Sequence, residues 1–255
     1  MKYLNKLTSK LLKSPLKIDQ YNAILEKGDT FFDSCELETE LLLSNGYPIY
    51  FDTNNVYLKT ASTLIKDQVF CIVDIETTAG NPTKGQLLEI AAVKYKNGQI
   101  IEKYQSLVNC FDIPFKVQEL TGISLEMVEN APNLHDVLEE FKIFLEDDVF
   151  VAHNLSFDYR FLNDSFKKYN LGQLCNRGLC TIDLSQKLIQ AQRYGLKFLT
   201  EVLKIDLDDH HRAMDDTMAT VEVFKKCLQK LPSNIKTTEE LIYLSKHAKD
   251  LKSDS

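Results

Sequence analysis

From Val69 the chain runs apolar almost without a break to Ile75, the pattern of a central strand covered on both faces. Leu87 to Tyr95 and Gln99 to Val108 read as two further strands, joined by Lys96-Asn97-Gly98. The Asn-Gly pair favours a tight hairpin turn, so these two are expected to be antiparallel neighbours. The period then changes. Leu134 to Leu145 has helical spacing, Val149 to His153 is a short strand, and Ser156 to Tyr169 is a helix with Phe157, Phe161 and Phe166 available for one buried side. Thr181 to Gln192 and Leu196 to Leu203 are further helices. A last one starts near His211 to Asp216 and runs to about Lys230, where Leu231-Pro232-Ser233-Asn234 breaks it. Strands followed by helices in this order predict an α/β domain over residues 67–230.

The flanks read differently. Residues 1–66 begin with lysines at Lys2, Lys6, Lys10, Lys13 and Lys17, then show two short helical patterns around Ile18 to Lys27 and Glu36 to Leu43. Tyr47 to Phe51 and Val56 to Leu58 form a hairpin candidate around Asp52-Thr53-Asn54-Asn55, residues that tolerate the left-handed conformations of tight turns. This predicts a small accessory domain of helices and a hairpin, its lysines a solvated face rather than a nucleic-acid contact. Residues 231–255 hold a capped helix from Thr238 to Lys249 and a polar tail. A helix this short is marginal alone, so it packs back on the domain or docks on a partner.

Composition narrows the classes. Of 255 residues 44% are apolar, an ordinary globular proportion, and the formal net charge of -7 argues against a protein that grips nucleic acid through a broad basic surface. The six cysteines (Cys35, Cys71, Cys110, Cys175, Cys180, Cys227) are scattered, and Cys175 and Cys180 lack the spacing of a zinc site, so reduced thiols are expected. No signal peptide or bilayer-spanning run is visible, which predicts a soluble, cytoplasmic protein without a membrane partner.

Four strings carry chemistry, in one order along the chain: Asp74-Ile75-Glu76, His153-Asn154, Phe157-Asp158, and His211-x-Ala213-x-x-Asp216. At average composition about one D-x-E is expected by chance in a chain this long, whereas H-x-A-x-x-D should occur in roughly a few per cent of chains. Side chains alternate across a strand, so Asp74 and Glu76 project from one face of its end. Asp158 falls in the first turn of a helix just past a strand, a junction where ligands bind in α/β folds. His211 and Asp216 would diverge on one continuous helix, so the imidazole is expected on the loop entering it. Ala213 selects His211 and Asp216 over the adjacent His210 and Asp215. His153 and Asn154 are read as holding the junction or touching substrate, and His135 and His247 as surface residues far from any carboxylate cluster. Four carboxylates and an imidazole are what is needed to hold two divalent cations against a phosphodiester and activate a water.

The set resembles the histidine subtype of the DEDD superfamily of 3′→5′ exonucleases. Val69 to Gln229 is similar throughout to the proofreading epsilon subunit of bacterial DNA polymerase III and related exonuclease domains. Leu88-Glu89-Ile90-Ala91-Ala92-Val93 resembles that family's second strand, and Leu120-Thr121-Gly122-Ile123 with Met127 resembles the segment after its third. The resemblance implies a ribonuclease H-like mixed five-stranded sheet flanked by helices. It implies Asp74, Glu76, Asp158 and Asp216 as ligands of two divalent cations, His211 as general base, and Thr77 and Asn154 as contacts to the terminal nucleotide. Family members commonly place Gly directly after Glu-Thr-Thr; here Ala79 stands there and Gly80 follows.

The expected activity is release of nucleoside 5′-monophosphates from a single-stranded or frayed DNA 3′ end. Magnesium is the expected cofactor, with manganese substituting, because an all-carboxylate site suits hard cations. The acidic charge favours a substrate delivered by a DNA polymerase catalytic subunit, hence proofreading. The alternatives are a stand-alone DNA repair or RNA-trimming exonuclease, and a replication docking protein that keeps the fold without the activity.

Overall fold

The computed structural model describes residues 2–205 and 212–249. His211 and His210 therefore lie outside the described residues, as does the polar tail beyond Lys249. In chain order the N-terminal elements are α1 (Lys2–Leu11), β1 (Leu16–Lys17), α2 (Ile18–Leu25), α3 (Cys35–Ser44), β2 (Ile49–Phe51), β3 (Asn55–Leu58) and α4 (Lys59–Ser62). Next come β4 (Phe70–Thr77), β5 (Leu87–Lys96), β6 (Gln99–Leu107), α5 (Phe115–Thr121), α6 (Leu125–Val128), α7 (Leu134–Leu145), β7 (Val149–Ala152) and α8 (Leu155–Lys168). The chain continues through β8 (Gly178–Cys180), α9 (Thr181–Leu188), α10 (Leu196–Leu203), α11 (Ala213–Gln229) and α12 (Thr238–His247).

The central sheet has the order β6-β5-β4-β7-β8. β4, β5 and β6 form an antiparallel meander, and Asn97 and Gly98, both at positive φ (48° and 83°), make the hairpin turn that the sequence predicts. β7 and β8 run parallel to β4. Alternation along β4 splits the core. Cys71, Val73 and Ile75 face α7 and α8, where Phe141, Phe161 and Phe166 are buried, while Phe70 and Ile72 face α9, α11 and α12 through Leu184, Phe224 and Leu241.

The N-terminal elements form a three-stranded sheet of order β1-β3-β2 with its own core around Leu7, Tyr21, Leu42, Tyr47 and Ile49. The expected hairpin is β2 and β3; the additions are β1, α4 and α1, and in α1 the buried Tyr3, Leu7 and Leu11 recur at helical spacing between the lysines. This subdomain docks at the amino ends of β7 and β8. Cys175 N–H donates to the Asn45 carbonyl (2.8 Å), Lys59 pairs with Asp147, and Lys142 Nζ donates to Asn45 Oδ1 (3.0 Å). Gly172 (φ 87°) permits the approach, since a Cβ there would sit 2.4 Å from Asn45 Oδ1.

The last helix does not project. Thr238 N–H donates to the Thr63 carbonyl (3.0 Å), Thr60 Oγ1 donates to Glu239 Oε1 (2.7 Å), and Arg177 reaches the same carboxylate through Nε (2.6 Å) and Nη2 (2.8 Å). Of the two expectations for this segment, packing back on the domain is the one realised. Its N-terminus is capped, as the sequence predicts, by Thr237 and Glu240 reciprocally. All six cysteines are free, and Cys175 packs among the N-terminal core residues. Among the described residues no helix is long and apolar enough to cross a membrane.

Candidate active site

β4 delivers Asp74 and Glu76 to the same face, the one covered by α11. Asp216, in the first turn of α11, meets them there: carboxylate oxygens of Asp74, Glu76 and Asp216 all lie within 4.8 Å of one another. Asp158 arrives from the adjacent edge. β7 pairs with β4 only as far as Ile72 and Val151, then turns away through His153 and Asn154, so the β4 backbone beyond Ile72 loses its partner on that side. The Asp158 carboxylate takes the hydrogen bond of the freed Ile75 N–H, as well as that of its own N–H. Asn154, at φ 86°, makes the turn. Asparagine tolerates that left-handed conformation, and Ser156 Oγ donates to its Oδ1 (2.9 Å).

Crowding sets the electrostatics. Burial and the charges of Asp158, Asp216 and Glu76 hold Asp74 well above the usual carboxylate range. Burial pushes Glu76 up to about 8, helped by Asp216 and Glu89 and opposed by Arg212. Asp158, 3% exposed, is raised by burial against its two backbone hydrogen bonds. Carboxylates this close ionise together only when a cation neutralises them, and an all-oxygen donor set of this spacing fits a hard divalent ion. Thr77 follows a bulge between Glu76 and Thr77 and pairs with Leu87, while Thr78 Oγ1 accepts from Gln86 N–H (2.8 Å) and braces the loop beyond.

His153 is a brace, one of the two roles its sequence context allows. Nδ1 lies 2.9 Å from Thr181 Oγ1 and Nε2 lies 2.9 Å from the Tyr194 carbonyl. His135 departs from expectation: it does not stand apart from acidic side chains, because Nδ1 is 3.6 Å from both Asp136 and Glu139 on the outer turn of α7. That group belongs to the helix covering the other face of the sheet.

Two contributors escape the motif search. Glu89, in the middle of the apolar run of β5, is fully buried directly opposite Glu76 in the antiparallel register, and it holds Arg212 at the entrance to α11. A charged residue inside an otherwise apolar strand was the available clue.

Four carboxylates drawn to the carboxyl end of a central strand in a mixed, helix-flanked sheet define a metal-dependent phosphodiester hydrolase of the DEDD type. The chain belongs to the exonuclease family: the RNase T model, described as "Exonuclease", matches residues 71–224. It carries a histidine-subtype 3′→5′ exonuclease domain related to that of PolC-type DNA polymerase III. It is 35% identical over 193 residues to the DNA polymerase III PolC-type protein of Staphylococcus saprophyticus, covering 75% of this chain and 13% of that one. The Staphylococcus aureus counterpart is 34% identical over the same length. The chain thus spans about an eighth of these relatives. Among solved structures, Exonuclease X in complex with 5′ overhanging duplex DNA superposes with a TM-score of 0.56 at 24% identity, covering 69% of this chain and 99% of that one. Exonuclease I in its apo form gives 0.59 at 17% identity, covering 71% and 45%. These two establish likeness of fold.

Proposed function

We propose that this protein hydrolyses the 3′-terminal phosphodiester of DNA, releasing nucleoside 5′-monophosphates, and that it serves proofreading beside a replicative DNA polymerase catalytic subunit. The observation that carries the reading is the convergence of Asp74, Glu76 and Asp216, with Asp158 beside them, in the D-x-E, D, H-x-A-x-x-D order. The relationship to PolC-type polymerase and the DNA-bound neighbours of the same fold support DNA as substrate and replication as setting.

In this reading Asp74, Glu76, Asp158 and Asp216 hold two Mg²⁺ ions, for which Mn²⁺ substitutes. When bound, such ions stabilise charge on the attacking and leaving oxygens of an in-line displacement. His211 takes the proton from the attacking water, a role an imidazole fills near neutral pH. Thr77 and Asn154, at the strand end and the α8 turn, contact the terminal nucleotide. That nucleotide must leave the stack to reach the site, so single-stranded or frayed ends are preferred.

The test is a Mg²⁺-dependent assay on a 3′-labelled single strand, run beside the same sequence in RNA and a blunt duplex. Mononucleotide release from the DNA strand, lost on chelation, is expected. Equal cutting of RNA would sink the proofreading assignment, and no cutting at any Mg²⁺ or Mn²⁺ concentration would sink the activity.

A further inference from the structure

Glu89 should be an unfavourable residue where it stands. It is 0% exposed, and the antiparallel register sets it directly across from Glu76, one of the crowded acids. Like charges in that arrangement repel. Yet Glu89 is held below the usual glutamate range: burial raises it, and the hydrogen bonds from Arg212, Gln105 and the Ala213 N–H outweigh burial. Oε2 accepts from Arg212 Nε (3.1 Å) and from Ala213 N–H (3.1 Å), while Oε1 accepts from Arg212 Nη2 (2.8 Å) and from Gln105 Nε2 (2.9 Å). Four donors occupy both oxygens, so this carboxylate is engaged away from the cation site despite its position beside Glu76.

The same contacts explain how α11 starts. Arg212 is its N-cap (φ -122°, ψ 133°) and supplies no side-chain cap of its own. The carboxylate that receives the Ala213 N–H comes instead from β5, where it also faces the positive end of the helix dipole. Ala213 is fully buried, and Thr217 Oγ1 lies 3.4 Å from the Ala91 carbonyl of the same strand, so the first turn of α11 rests on β5. One turn holds Ala213, Thr217 and Asp216 together.

We propose that Glu89 is a positioning residue for the cation site: with Arg212 it fixes where α11 begins on β5, and thereby carries Asp216 to Asp74 and Glu76. The bidentate fork is what the geometry requires, so lysine at 212 keeps the charge and loses the register. The proposal rests on the two-cation reading of the site.

The experiment titrates Mn²⁺ into the full chain by calorimetry and measures kcat and KM on a short 3′ single strand. Wild type is compared with Glu89→Gln, Arg212→Lys and the double variant, all well below their melting temperatures. Each single variant should bind Mn²⁺ about 10- to 100-fold more weakly and lose kcat to a similar extent, as is typical when the partner of a cation-holding group is removed. KM should stay near the wild-type value. The double variant should be no worse than the weaker single, because the two side chains act as one unit. Arg212 has a side chain 34% exposed, so Arg212→Lys stays folded even where the buried Glu89→Gln does not. Wild-type Mn²⁺ affinity in folded Arg212→Lys, or losses that multiply in the double variant, would overturn the proposal. The titration needs no turnover, so it decides the placement of Asp216 even if no 3′ end were cut, a result that overturns the proposed activity alone.

Discussion

His153 Nε2 sits 2.9 Å from the backbone carbonyl of Tyr194, joining the end of β7 to the loop before α10. A carbonyl only accepts, so Nε2 carries a proton, while Nδ1 lies 2.9 Å from the Thr181 hydroxyl, which also reaches the Ala152 carbonyl (3.3 Å). Burial favours the neutral ring. Burial pushes its pKa down to about 4, against the Tyr194 contact. Of the two histidines in the four strings, burial thus keeps His153 neutral near neutral pH.

The pH dependence of activity should separate the two. In His153→Gln a rise of kcat through the imidazole range, roughly pH 6.5, should persist, because the proposed base is His211. Stability should respond instead. Unfolded, His153 takes a proton near roughly pH 6.5. Folded, it does so near 4, so the unfolded chain binds the extra proton between the two values. Its contribution is complete above about 6.5 and is lost as pH falls toward 4. Urea titrations across that window should show a shallower pH slope in His153→Gln than in wild type; identical slopes would mean that the ring is not buried neutral.

Asp74→Asn should stabilise the cation-free protein while abolishing turnover. The folded state raises the pKa of Asp74 and of Glu76, the latter to about 8, so the unfolded chain is the more readily ionised. The resulting penalty is absent below about pH 4, where these acids are protonated in both states, and grows as pH rises toward 8. Relieving each kcal/mol of it lifts Tm by roughly 2–4 °C in a protein of this size. Scanning fluorimetry should show Asp74→Asn melting above wild type without cations. In wild type, Mg²⁺ should raise Tm more at pH 8 than at pH 6. A Mg²⁺ shift of equal size in both proteins would place the ion elsewhere.

His211→Ala should slow the chemical step by roughly 10²- to 10⁴-fold and leave Mn²⁺ affinity intact. Single-turnover rates on a labelled 3′ end, taken with calorimetric Mn²⁺ binding, make the separation. Loss of both together would mark His211 as a ligand rather than a base.

Glu239→Ala should destabilise the protein by about 3–5 kcal/mol in urea unfolding, the range for removing one partner of a buried pair. The Arg177 side chain is 18% exposed and would keep its charge without the two contacts that α12 now supplies. Thr60 loses its acceptor as well. Activity per folded molecule should hold, because this junction lies at the amino ends of β7 and β8 while the acids cluster at the carboxyl end of β4. A variant as stable as wild type would show the pair to be dispensable.

Much of this is legible in the sequence. The hairpin of β5 and β6 follows from Asn97-Gly98, and the one-sided placement of Asp74 and Glu76 follows from the period of a strand. The hydrophobic pattern does not place β8, the fifth strand, or α5 and α6. β8 has three residues and α6 four, too short for a period to register, and α5 has seven. The helix expected from Thr181 to Gln192 stops at Leu188, where Ile189 turns extended and Tyr194 OH donates to its carbonyl (3.0 Å). Glu89 drew notice only as part of a resemblance, since its partners Gln105 and Arg212 lie on other elements.

The sequence alone determined which residues share a strand face, where hairpins turn and which acids occur in which order. Those features depend on backbone preferences and side-chain periods spanning a few residues. Packing alone decided that β7 ends early enough for Asp158 to take the Ile75 N–H, that Glu89 sets the start of α11, and that the N-terminal subdomain rests at the far end of the sheet. Each depends on groups distant in the chain meeting at hydrogen-bond range, and local dihedral preference carries no information about such meetings.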